Sequence, residues 1–173
     1  GCVKGFEGGA SRTEATGVDE LVTETADRLF TQICDHEAVQ NAEAEGAAPE
    51  IWSAFAETGF PWISIDEDHG GSGGTLLDAL EVLRLVGYHA APIPAAETGI
   101  LGGWLLANSG HEIPDGPVTV IPNGTSNIKA SVSGDQMTLT GTCVRVPWAQ
   151  IAKRIAVLVE VDGQSMVASV DPN

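Results

Sequence analysis

The side chains able to do chemistry gather around one stretch. Residues 59–74 read Gly-Phe-Pro-Trp-Ile-Ser-Ile-Asp-Glu-Asp-His-Gly-Gly-Ser-Gly-Gly, which sets three acids, a histidine and a serine beside Gly70, Gly71, Gly73 and Gly74. A Gly-rich loop that opens a helix can hold an anion on free backbone N–H groups. Against that reading, no Lys and Ser/Thr pair follows the glycines in P-loop order, and the spacing is not the dinucleotide fingerprint. Asp66, Glu67 and Asp68 would also repel a phosphate. The stronger reading is a tight connection between two packed helices, where glycines permit positive φ and close approach. Thr75 follows as an N-cap, and Asp78 stands in the first turn, where a carboxylate suits the helix dipole.

The other reactive side chains are scattered. His36, His69, His89 and His111 lie on different elements, none in a two-His helical pair with a carboxylate, so no metal site is expected. Ser72 has glycines on both sides, but no strong strand pattern precedes it, and a nucleophile elbow is not expected. Cys2, Cys34 and Cys143 are odd in number and far apart, which points to a reducing compartment. Cys34 reads as a small core residue rather than a nucleophile. Glu97, on an otherwise apolar helix, is either a buried general base or an exposed edge residue, and the second is expected.

Composition narrows the partners. With 24 acids against 8 bases the chain carries a net charge of −16, which argues against nucleic acid or an anionic membrane as a partner. Its 173 residues, 43% of them hydrophobic, can bury a sizeable core. There is no run of 18 apolar residues and no signal-peptide h-region, so a cytoplasmic protein is expected.

The elements that must position these residues fall into two groups. Residues 1–17, rich in Gly, Ser and Thr, read as a flexible leader. From Val18 to about Ala44, Val22, Ala26, Leu29, Phe30 and Ile33 recur at helical spacing and predict one helix. Pro49 starts a second, carrying Ile51, Trp52 and Phe55. A third, about Thr75 to His89, is apolar nearly all round and expected to be central, with Asp78, Glu81 and Arg84 as one wet stripe. A fourth runs from about Pro94 to Ser109, with Gly110 past its end. After Pro117 the period changes to two, which predicts strands, with hairpin turns at Ser133-Gly134-Asp135 and Asp162-Gly163. The expected fold class is α+β: an N-terminal helical bundle over 18–112, then a small antiparallel β-domain over 116–173.

One run of residues resembles a known family. Trp52, Glu57-Thr58-Gly59, then Asp66-Glu67-Asp68-His69-Gly70-Gly71-Ser72-Gly73, then Asp78 and Ala91-Pro92-Ile93-Pro94 are similar to the N-terminal helical domain of the acyl-CoA dehydrogenases. Asp66 stands where the family usually has proline and His69 where it has an aromatic residue. Met137 to Thr142 and Ile151 to Val159 resemble the strands of the family's middle β-domain. The resemblance places Arg145, Val146, Pro147 and Trp148 at the segment that meets the flavin, without the hydroxyl usually found there. The family's threonine-glutamate-proline and Gly-Ser-Asp segment has no counterpart between Gly110 and Leu139.

What the resemblance implies is a flavoprotein oxidoreductase of lipid metabolism that passes electrons from an acyl-CoA thioester to FAD. The family's catalytic glutamate lies in a C-terminal domain beyond Asn173, so no catalytic residue is assigned here. FAD binding is expected to be weak or absent in these residues alone. A divergent branch, assembled from two unlike subunits, implies a homo- or hetero-oligomer. The alternative is a non-catalytic structural partner of a heteromeric acyl-CoA dehydrogenase. An apolar face around Leu80, Leu83, Ile100 and Trp104 is expected to lack cover and to favour association.

Overall fold

The computed structural model describes residues 4–5, 17–121, 127–133 and 136–172. It falls into two compact units: a helical one, Arg12–Ile100, and a sheet-bearing one, Leu101–Asn173 together with the segment Gly1–Ser11.

In chain order the elements are β1 (Lys4–Gly5), α1 (Glu20–Ile33), α2 (His36–Glu45), α3 (Pro49–Glu57), α4 (Leu76–Tyr88) and α5 (Trp104–Asn108). They are followed by β2 (Val118–Val120), β3 (Lys129–Ser133), β4 (Gln136–Thr140), β5 (Arg154–Val161) and β6 (Gln164–Val170). Helices followed by small sheets are the expected α+β class. Most of the expected leader lies outside the described residues, but Lys4–Gly5 is a strand, paired antiparallel with β6.

Within the helical unit, Phe30, Phe55, Leu85 and Val82 are at most 2% exposed and form the core with Ala26, Ile51 and Ile93. The single helix expected over residues 18–44 is two. Asp35 interrupts it by turning its side chain onto the N–H of Ala38 at 2.8 Å, which caps α2 and ends α1 at Ile33. Pro49 is the first residue of α3, where its missing N–H costs nothing.

The expected wet stripe on α4 is also corrected. Asp78 is 5% exposed and faces the core with Val82 and Leu85, whereas Leu76, Leu77 and Leu80 are 44–46% exposed. Arg84 and Glu81 do form an exposed ion pair, at 2.7 Å. The fourth helix is not regular. Ala96–Gly103 is π-helical and only Trp104–Asn108 is α-helical. Gly99, Gly102 and Gly103 lower the cost of leaving α geometry there. Gly110, at φ 67°, ends α5 with its N–H on Ala107 O and that of His111 on Leu106 O, a Schellman closure.

In the sheet-bearing unit the strand order is β1-β6-β5-β2, with β3-β4 a separate two-stranded sheet. The domain was expected to be antiparallel, but β2 runs parallel to β5, with Val118 opposite Arg154. The long connection through the β3-β4 hairpin supplies the crossover that parallel pairing needs. Asp162 and Gly163, at φ 51° and 78°, close the β5-β6 hairpin in the left-handed conformation a type I′ turn requires. In the other expected turn, Gly134 and Asp135 lie outside the described residues. Ile128, Ala130, Met137 and Leu139 pack against Val157, Val159 and Ala168.

Candidate functional site

The four residues expected to meet a flavin lie in the connection from β4 to β5. Arg145 is exposed, and Val146, Pro147 and Trp148 are half-buried. Arg145 and Trp148 both have φ 57°, two of the four non-glycine residues in the left-handed region among those described. Such a residue costs about 1–3 kcal/mol and persists only where its surroundings hold it. Here β2 does so. The hydroxyl of Thr119, itself 0% exposed, donates to Pro147 O at 2.7 Å. Further along, Lys153 N–H donates to Pro117 O at 2.7 Å. Trp148 O accepts the N–H groups of Ile151 and Ala152, each at 3.1 Å. The segment is therefore a strapped backbone carrying one exposed guanidinium. Thr119 was not singled out from sequence, because in Val-Thr-Val it reads as an ordinary strand residue.

The glycine-rich loop is a packing hub in the helical unit. Its N–H groups are spent internally: Gly70 on Glu67 O, Gly71 on Asp66 O, Ser72 on Trp62 O and Gly73 on Ile65 O, at 2.9–3.1 Å. A phosphate cradle needs those donors free, so the helix-connection reading holds. A Cβ added at Gly71 would lie 2.0 Å from Ile65 O, and one at Gly99 would lie 2.2 Å from Pro61 O. Ser72 Oγ donates to Gly59 O at 2.9 Å, a structural bond rather than an activated nucleophile.

Asp78 is a highly connected carboxylate. One oxygen accepts Asp19 N–H at 2.8 Å, and the other accepts Thr75 N–H at 2.8 Å and the Thr75 hydroxyl at 2.6 Å. Asp78 N–H returns to Thr75 Oγ1 at 3.1 Å, completing a capping box. Asp19 is the N-cap of α1, so one carboxylate joins the starts of two helices. Burial pushes the Asp78 carboxyl up, but the bonds from Asp19 and Thr75 outweigh it and hold the group below the usual carboxylate range.

Two of the histidines make structural contacts. His89 Nε2 lies 2.8 Å from Asp27 Oδ1, and His111 Nε2 lies 3.0 Å from Val167 O. Glu97 is half-buried. Among the described residues no group of three or more His, Cys, Asp or Glu could hold a metal ion, and no helix is long and apolar enough to cross a membrane. Cys34 packs against the helical core, and burial, with Asp35 adding repulsion, pushes its thiol up to about 11. The thiolate is the reactive form, so at neutral pH Cys34 should alkylate about two orders of magnitude more slowly than an unperturbed thiol. Peptide-resolved mass spectrometry after timed iodoacetamide treatment measures this. Labelling as fast as that of free cysteine would refute the buried-thiol account.

With this geometry in hand, comparison with known proteins gives a consistent result. Residues 17–113 match the family model for the acyl-CoA dehydrogenase N-terminal domain. The chain is 30% identical over 155 residues to acyl-CoA dehydrogenase IpdE2 of Mycolicibacterium smegmatis, covering 79% of this chain and 50% of that one. To acyl-CoA dehydrogenase FadE27 of Mycobacterium tuberculosis it is 27% identical over 140 residues, covering 71% and 38%. It thus spans half or less of the length of these relatives. Among solved structures, a variant of the Tcur3481–Tcur3483 steroid ACAD superposes with a TM-score of 0.75 at 21% identity, over 89% of this chain and 48% of that one. The ChsE4–ChsE5 complex from Mycobacterium tuberculosis gives 0.68 at 23% identity, over 93% and 48%. These structures share the fold, and the family model covers more than half of the sequence: the chain belongs to the acyl-CoA dehydrogenase family.

Proposed function

We propose that the chain works as part of a heteromeric acyl-CoA dehydrogenase, in which Arg145–Trp148 forms one wall of an FAD site and the complete assembly oxidises an acyl-CoA thioester. The observation that carries this reading is the strapped 145–148 backbone, at the place the family resemblance gives to the flavin-facing segment. Two of the structural neighbours are described by paired components, Tcur3481 with Tcur3483 and ChsE4 with ChsE5, which supports a second acyl-CoA dehydrogenase subunit as the partner. FAD, when bound, supplies the acceptor for the hydride that leaves the substrate β-carbon. The residues of this chain orient it and exclude water on one side; the α-proton must go to a base that none of them is assigned to provide. The family match over residues 17–113 supports 18–112 as the N-terminal helical domain, with 116–173 as the β-domain that follows it.

A specific observation favours the structural-partner alternative. Pro147 offers a cofactor neither a hydroxyl nor an N–H. Visible absorption spectra separate the two. The chain alone should purify colourless, and the chain co-expressed with a second acyl-CoA dehydrogenase subunit should carry FAD that bleaches on adding acyl-CoA. A colourless, stable complex would instead establish the structural role.

A further inference from the structure

We propose that Thr119 is a positioning residue for the flavin-facing segment: its buried hydroxyl fixes the 145–148 backbone in the left-handed form it presents to the cofactor. The inference rests on the flavin reading of that segment and adds the residue on which its geometry depends. Thr119 lies on β2 between Val118 and Val120, in a setting that a third valine would fill without change of shape. A hydroxyl buried there is favourable only if it is hydrogen-bonded. Its bond crosses 28 residues of sequence to reach Pro147 O, at 2.7 Å.

That carbonyl sits between the two left-handed residues, Arg145 and Trp148, so the bond acts on a stretch of backbone held in a costly conformation. Lys153 N–H on Pro117 O and the bonds of Ile151 and Ala152 N–H to Trp148 O hold the far end of the connection, whereas the Thr119 bond acts on Pro147 itself. Because Thr119 is 0% exposed it cannot touch a cofactor, and any influence on flavin binding must pass through the main chain of Pro147.

Thr119→Val removes the donor and keeps the β-branched shape; Thr119→Ser keeps the donor. Hydrogen–deuterium exchange on the full chain without flavin should show amides 144–152 exchanging about tenfold faster in Thr119→Val, the factor that one net hydrogen bond supports. The β5-β6 hairpin should be unchanged and Thr119→Ser near the wild type. In the co-expressed complex, Thr119→Val should weaken FAD binding by a similar factor, with Thr119→Ser restoring it. Thr119→Ala serves as a second donor-free variant should valine disturb the strand. Equal exchange in all variants would overturn the positioning role, as would looser exchange with unaltered FAD affinity. A wild-type complex that takes no FAD would overturn the flavin reading alone, and exchange would still decide whether Thr119 holds the segment.

Discussion

Gly71→Ala is expected to destabilise the helical unit by about 3 kcal/mol or more, at the upper end of what overpacking produces. The added methyl would lie 2.0 Å from the oxygen, 2.4 Å from the carbonyl carbon and 2.5 Å from the Cβ of Ile65. Ile65 is 3% exposed and its carbonyl accepts Gly73 N–H, so it cannot retreat without opening the loop. The internal control is one residue away. Gly70 has φ 83° and open space around its Cβ position, so Gly70→Ala should cost only about 1–2 kcal/mol of left-handed backbone strain. Thermal unfolding of the two variants, followed by far-UV circular dichroism, tests the comparison. If Gly71→Ala melted no lower than Gly70→Ala, the steric account of the loop would be wrong.

The second large effect is at Asp78. Replacing it with alanine leaves the N–H groups of Asp19 and Thr75 and the Thr75 hydroxyl without their acceptor. Bonds to a charged acceptor are worth about 1.5–3 kcal/mol each and are not additive, so we expect a loss of about 2–4 kcal/mol at neutral pH. The loss has a pH signature. The folded-state pKa of Asp78 is depressed, so its contribution is fully present above the unfolded aspartate value of about 3.9 and declines as pH falls through the folded value. Urea titrations of wild type and Asp78→Ala should show a stability gap that is constant from pH 7 to about 5 and narrows in more acidic solution. A gap that stayed constant down to strongly acidic pH would mean that the charge of the carboxylate is irrelevant.

Much of this was legible in the sequence wherever a local rule fixed the backbone. Thr75 with Asp78 marked the start of α4, Pro49 the start of α3, and Asp162-Gly163 the hairpin of β5 and β6. The misses have physical causes. Asp78 was read as part of a wet stripe because it is charged, although its spacing with Val82 and Leu85 puts it on the buried face. Apolar periodicity continues across Cys34 and Asp35, so the break between α1 and α2 depended on one side-chain cap. Parallel pairing of β2 and Thr119's reach to Pro147 are long-range events that no local pattern encodes. Of the face expected to lack cover, Leu80 and Trp104 are more than 40% exposed, whereas Leu83 and Ile100 are half-buried.

The parallel pairing of β2 and β5 also sets an order of assembly. The β5-β6 hairpin closes over a two-residue turn and needs little loop-closure entropy. β2 reaches β5 only after all of the chain between Val118 and Arg154 has been looped back, the slow kind of contact in a folding sheet. Until β2 docks, Thr119 has nothing to hold and residues 145–148 have no reason to adopt their left-handed form. The strapped 145–148 segment is thus completed only after the β5-β6 hairpin, and a subunit caught before that step would hold its hairpin without the fixed backbone that the proposed cofactor wall requires.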